Sequence, residues 1–263
     1  MLYSHGYITQ YNGAMISEMR RLQINGGRVE PGSPLRLVLP AVAEGYADAQ
    51  VDDYGSRKRR EYPWRRGTEF VLRARFSHDA HELIGTAGFG FWNAPFGDPT
   101  VPWPALPQAA WFFFGSPPND LPLAPNGPGR GWFAATLDAT TGRALVMAPF
   151  APVVVLLNRI TAVRRRLWPG VQQRLGISFA PLNQAMTDWH EYRLVWQPGG
   201  CVFEVDGELV LQTEHSPRGP LGFVCWLDNQ FMVVGADGRL RWGTLPVAKP
   251  QWLEVDNLNI TNL

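Results

Sequence analysis

Lysine is almost missing from this chain: it occurs only at Lys58 and Lys249, and every other basic residue is an arginine. Alongside abundant Ala, Gly and Pro, that bias reflects genome composition as much as function, so composition weighs only modestly here. Cysteine is nearly as scarce. Cys201 and Cys225 are the only two, and a cytosolic pair of this kind reads as two buried free thiols rather than a bridge or a metal site. Excess charge is lacking too. With 24 basic and 23 acidic residues, no global field argues for nucleic acid or an anionic polymer. The opening MLYSHGYITQYNGAM has no basic run followed by an apolar core and a small-residue cleavage site, so a cytoplasmic protein is expected. There is no phosphate-cradling loop, no dinucleotide fingerprint after a strand, and no nucleophile elbow.

What is present points to β-structure. The chain holds 11 Trp, 27 Gly and 23 Pro; Gly and Pro interrupt helices, while rings suit half-buried pleated surfaces. We expect one all-β domain over residues 1–263, because sandwiches often reach this size as a single unit. Residues 35–39 read as a short strand. In TEFVLRARF, Phe70, Leu72, Ala74 and Phe76 alternate with Val71, Arg73 and Arg75, the period of a half-buried strand. The segment GTAGFGFWNAPFGD is strand-like but Gly-rich, and Gly inside a strand marks a bulge or a close approach by a ligand or backbone. AAWFFFG is a further strand. WHEYRLVWQPGGCVFEVDGELV reads as a three-strand meander with a tight turn at Asp206-Gly207. GFVCWLDNQF, a hairpin around Asp237-Gly238, and WLEVDNLNI complete the series.

Two stretches break the pattern. APVVVLLNRITAVRRRLWPG predicts a helix starting at Pro152 and stopping at Pro169-Gly170, within a helical or mixed insertion at about 150–175. Its apolar residues Val153, Leu156, Leu157, Ile160, Val163 and Leu167 read as packed on the sandwich; a strand over 152–157 is the alternative secondary structure. Its arginine face leaves a peripheral membrane or protein contact through residues 152–168 as the other reading. The basic run RKRREYPWRR at 57–66 reads as a solvated loop, with phosphate contact or stacking on single strands as the alternative. His78 and His81 stand beside Asp79 and Glu82 without the spacing of a known zinc motif.

FVLRARF followed by GFGFW, the hairpin from Trp189 to Val210, and WLEVDNLNI together resemble strand segments of the family 16 glycoside hydrolases, the laminarinase and lichenase type. That family lies within the concanavalin A-like lectin/glucanase superfamily. The resemblance spans roughly Thr68 to Ile260, and its hairpin also occurs in laminin-G-like modules, so it speaks for fold more than for activity. It implies an all-β, two-sheet antiparallel jelly-roll sandwich with a sugar-binding groove on a concave face. It also implies a structural role for His190 and a possible structural calcium at Asp256.

Retaining hydrolysis needs two carboxyl groups about 5 to 5.5 Å apart. The family carries them on one strand, as E-x-D-x-x-E or E-x-D-x-E, shortly after the FW segment. Here that neighbourhood is PQAAWFFFGSPP, and no carboxylate occurs between Asp98 and Asp120. Glu204, Asp206, Asp228 and Asp237 form no pair with an assignable role, so family 16 hydrolysis is disfavoured. The first expectation is a non-hydrolytic sandwich binding a carbohydrate or related ligand through Trp92, Asn93, Trp103, Trp111, Phe113 and Trp226. The others are an enzyme of another type acting on an apolar small molecule, motivated by WFFFG in place of acids, and a membrane- or partner-docking module.

Overall fold

A computed structural model describes residues 18–96, 103–124 and 128–263; the opening segment read for a leader, His5 and Asp98 lie outside the described residues. Two seven-stranded antiparallel sheets face each other. The front sheet runs β1 (Arg20–Ile24), β4 (Asp48–Asp52), β13 (Gly222–Asp228), β6 (Thr86–Trp92), β7 (Gln108–Gly115), β8 (Gly131–Asp138), β9 (Ser178–Pro181). The back sheet runs β12 (Glu208–Thr213), β11 (Gly200–Val205), β10 (His190–Gln197), β5 (Thr68–Phe76), β16 (Gln251–Asn262), β3 (Leu35–Leu39), β2 (Arg28–Glu30). This is the expected concanavalin A-like jelly roll. Among the described residues a hairpin, β14 (Gln230–Val234) with β15 (Leu240–Thr244), and three α-helices, α1 (Gly142–Met147), α2 (Ala151–Leu157) and α3 (Thr161–Arg174), lie outside the two sheets.

Alternation decides which side chains enter the core. Phe70, Leu72, Ala74 and Phe76 of β5 are all buried between the sheets. Phe70 meets Phe89, Phe91, Phe112 and Phe223 of the front sheet at ring-centroid distances of 5.5 to 6.3 Å, a spacing that edge-to-face ring pairs favour. The rings of the meander divide by the same rule. Tyr192, Trp196 and Phe203 join the core, whereas Trp189, just before β10, lies under the guanidinium groups of Arg73 and Arg75 at 5.3 and 5.0 Å. Asp206 and Gly207 turn the chain with φ of +53° and +79°. Asp206 also receives the backbone N–H of Glu191 and contacts the His190 ring at 2.6 Å, so His190 has a structural partner. Cys201 and Cys225 are buried free thiols.

The segment 152–157 is helix, as first read, rather than the alternative strand. Three other expectations are revised. The following helix does not stop at Pro169-Gly170 but runs to Arg174. Proline costs one helical hydrogen bond, and the last turn is held instead by Gln172, whose side-chain amide donates to the carbonyls of Pro122, Leu123 and Ala124 at 3.0 to 3.2 Å. Most of the apolar residues of 152–168 do not pack on the sandwich: Val153, Leu156, Leu157, Ile160 and Leu167 are exposed. The run at 57–66 is also more than a solvated loop. Arg59 donates to the carbonyls of Asn93 and Ala94, Arg66 to that of Pro217, and Tyr62 is fully buried, stacked on Tyr54 at 5.0 Å.

Candidate functional site: an aromatic cavity with an acidic end

The front sheet buries its inner face in the core, and the same alternation sends a second set of side chains outward. On β6 the outward positions are Thr86, Gly88, Gly90 and Trp92, because Ala87, Phe89 and Phe91 belong to the core. Gly88 and Gly90 have no side chain to fill the surface, and the ring of Trp226 lies over the gap. A Cβ at Gly88 would stand 2.9 Å from Trp226 Cη2 and 2.2 Å from the Phe112 carbonyl oxygen. Trp92, Trp111, Phe113 and Trp226 form one continuous wall, with centroids 5.2 to 6.4 Å apart.

Above this wall is a cavity of about 570 Å³. Its roof comes from β14–β15, from the loop at 119–123, and from Leu175 and Ile177 just after α3. The roof is tied down through the backbone: Asp120 and Val234 exchange hydrogen bonds with β14 and the loop, and Asn119 Oδ1 accepts from the Met232 N–H at 2.8 Å. Phe96, Leu240 and Trp242 line the cavity yet are exposed, so they mark its mouth.

One end of the cavity is polar. Asp48 of β4 and Asp228 of β13 stand directly opposite each other in the antiparallel register, and both line the cavity with Tyr46, Gln50, Thr86 and Gln230. Asp228 Oδ1 accepts from Thr86 Oγ1 at 2.8 Å and from the Gln230 N–H at 3.0 Å, and Trp226 Nε1 donates to Thr86 Oγ1 at 3.0 Å. Asp48 is 1% exposed, and neither of its carboxylate oxygens has a hydrogen-bond partner of ordinary geometry. Burial, then the neighbouring Asp228 charge, pushes the Asp48 carboxyl well above its usual range; the nearby Tyr46 hydroxyl pulls against that rise. Burial likewise pushes Asp228 to about 6, opposed by its hydrogen bonds from Gln230 and Thr86. No lysine, arginine or histidine is among the described residues lining the cavity. Burial and the Asp228 charge both oppose ionisation of Asp48, so the two acids resist carrying charge together. Asp52, four residues along β4 from Asp48, is different: Arg20 and the Gly55 N–H satisfy it.

Of the residues singled out in the sequence, Trp92, Trp111, Phe113 and Trp226 share the cavity. Asn93 does not line it, since its amide donates to the Leu106 carbonyl and accepts from the Gln108 N–H. Trp103 is 78% exposed and also lies off the lining. Asp256 sits on β16 in the back sheet, opposite Arg73, and accepts from Ser33 Oγ at 2.8 Å. Among the described residues no group of three or more His, Cys, Asp or Glu side chains gathers, there or around His78 and His81. The acidic end was missed. Asp48 and Gln50 alternate with Ala49 and Val51 in ADAQVDD, a readable strand signal. That Asp48 meets Asp228 depends on a pairing between strands about 180 residues apart.

No protein-family model matches the chain, and no curated protein does. Solved structures do match. An endo-β-1,4-glucuronan lyase from the fungus Trichoderma reesei is 11% identical with a TM-score of 0.45, over 98% of this chain and 90% of that one. An immunostimulatory antigen and pseudo β-1,3-glucanase of Mycobacterium tuberculosis is 13% identical with a TM-score of 0.46, over 88% and 78%. A GlcNAcα1-4Gal-releasing endo-β-galactosidase from Clostridium perfringens is 12% identical with a TM-score of 0.46, over 93% and 54%. The class of the protein follows from its own strand order: a concanavalin A-like sandwich. Its particular feature is a roofed aromatic cavity on the outer face of the front sheet.

Proposed function

We propose that this chain is a family 16-like sandwich turned to a different task, binding one small molecule that has a largely apolar body and one polar end. The supporting observation is the cavity itself: aromatic and aliphatic walls, a roof, and polar groups gathered around Asp48 and Asp228. An open groove for a polysaccharide needs hydroxyl-binding groups along its length, whereas here they cluster at one place. The strand that carries the acids in the resembling family is β7, whose outward residues are Ala109, Trp111 and Phe113. Hydrolysis through that strand has no acid to use. The ligand or substrate would enter at Phe96 and Trp242 and lie against the three indoles. The test is native mass spectrometry of protein purified without detergent, followed by solvent extraction. A recurrent bound mass with an apolar skeleton, lost in Trp111→Ala, is expected; repeated recovery of empty protein that no apolar probe stabilises thermally would overturn the reading.

A short saccharide is the second reading, favoured by three indoles standing beside carboxylates and a glutamine, the usual elements of sugar stacking and hydroxyl recognition. Calorimetry against a glycan panel at millimolar concentration separates the two, because only this reading predicts heat of binding without release of reducing ends.

A further inference from the structure

Resting on the cavity reading, we infer that the polar end recognises a basic nitrogen: the ammonium head of an amine seated between Asp48 and Asp228, beside the Trp226 ring. An acidic pair alone would not carry this. The added observation is Asp48, 1% exposed, in the cavity wall, with neither oxygen in a hydrogen bond of ordinary geometry and only the Tyr46 hydroxyl acting on it as a nearby donor. A buried carboxylate without a cationic partner is costly and must keep a proton or find a cation. The protein offers none inside: the described lining holds two carboxyl groups and no basic side chain. Arg20, the nearest candidate on the same sheet, is engaged with Asp52 at 2.7 Å. Indole faces next to the acids add the attraction that rings have for ammonium groups. The groups acting on Asp48 are Asp228, Tyr46, Arg20 and Asp52. The Asp48 carboxyl is held above its normal range, so it must release its proton to pair with the amine, and affinity should rise with pH from 5 to 8.

The probes are phenylalkylamines, with the phenylalkanols and phenylalkanoates of equal length, measured by calorimetry. The amine should bind at least about tenfold more tightly than the alcohol, with the carboxylate weakest, in keeping with a charge-assisted contact. Asp48→Asn should remove the preference and its pH dependence while alcohol binding persists, which also shows that the variant is folded. Equal binding of amine and alcohol would overturn the inference and leave the cavity reading standing. If neither binds, both fail.

A second inference rests on different residues. We propose that the helical arm docks on an anionic lipid surface. Residues 139–187 contain six arginines and no carboxylate. The same arm exposes Val146, Phe150, Val153, Leu156 and Ile160, each more than half accessible. Exposed aliphatic groups interleaved with unopposed cations are complementary to a bilayer interface with negative headgroups. Among the described residues no helix is long and apolar enough to cross a membrane; the contact proposed is a peripheral one. The arm is fixed to the cavity roof, since Asn158 Nδ2 donates to the Ala236 carbonyl at 2.9 Å, close to Leu240 and Trp242 at the mouth. Flotation with phosphatidylcholine vesicles, with and without phosphatidylglycerol, tests it. Binding is expected only to the anionic vesicles, falling on the order of a hundredfold when Arg164, Arg165 and Arg166 are changed to Gln. Leu156→Glu should abolish it, with the cavity probe showing that the fold is kept. No flotation at low salt, flotation unchanged in both variants, or a dimer that hides the arm would overturn it.

Discussion

Burial makes Asp228 hold its proton to a higher pH than an ordinary aspartate, and that has a measurable consequence. Its pKa lies near 6 in the folded protein against an ordinary 3.8, so between those values the native state binds more protons than the unfolded chain. The stability contributed by Asp228 therefore falls as pH rises from about 4 to 6 and levels off above; at 1.36 kcal/mol per unit that drop is at most about 3 kcal/mol. Asp228→Asn keeps an acceptor for Thr86 and Gln230 and should flatten that slope, read as urea midpoints at pH 4.5 and 7.5. An unchanged slope would show that Asp228 ionises normally. Asp48→Asn should act in the same direction, stabilising the protein more at pH 8 than at pH 4. Gly88 is the other residue with a sharp constraint. Its missing side chain leaves room for the Phe112 carbonyl and the Trp226 ring, so Gly88→Ala should lower stability by about 2 to 3 kcal/mol and displace the indole. Denaturation and tryptophan fluorescence would register the two effects.

At the scale of elements, strands with strict alternation were legible and their partners were not. β5 and the first two strands of the meander each carry a period-2 pattern whose core-facing members are buried. β4 carries a polar outward face and drew no attention on its own. The cavity wall was half legible, because Trp92, Trp111, Phe113 and Trp226 stand in recognisable strands, while the acids opposing them meet only through the β4–β13 register. The helical arm misled for a physical reason. Apolar residues at helical spacing normally mark a face turned to the core, yet here that face points outward and the arm is held by polar side chains, Asn158 and Gln172, to backbone carbonyls. These two anchors predict a specific weakness. Gln172→Ala removes three hydrogen bonds between α3 and the roof loop, and amide exchange at residues 119–124 and 161–174 should quicken while the back sheet keeps its protection. Uniform quickening across the protein would show instead that the arm is part of the global folding unit.

The whole molecule uses one sheet for two purposes: its inner face closes the core, and its outer face floors the cavity. Adjacent residues of β7 therefore belong to different energetic accounts. Phe112 is fully buried among Phe70, Phe89, Tyr192 and Phe203, so Phe112→Ala should cost about 3 to 5 kcal/mol, the usual range for emptying a packed aromatic site. Trp111, its neighbour, contacts Trp92, Phe113 and Trp226 along a wall that borders open volume. Water or a ligand can reach the space its removal leaves, so Trp111→Ala should cost less stability than Phe112→Ala and far more affinity for the apolar probe. The comparison needs only a denaturation curve and a binding isotherm for each variant. If the two substitutions lowered stability equally and left binding equal, the outer face of the front sheet would be a second core under a cover, and the cavity would have no ligand to serve.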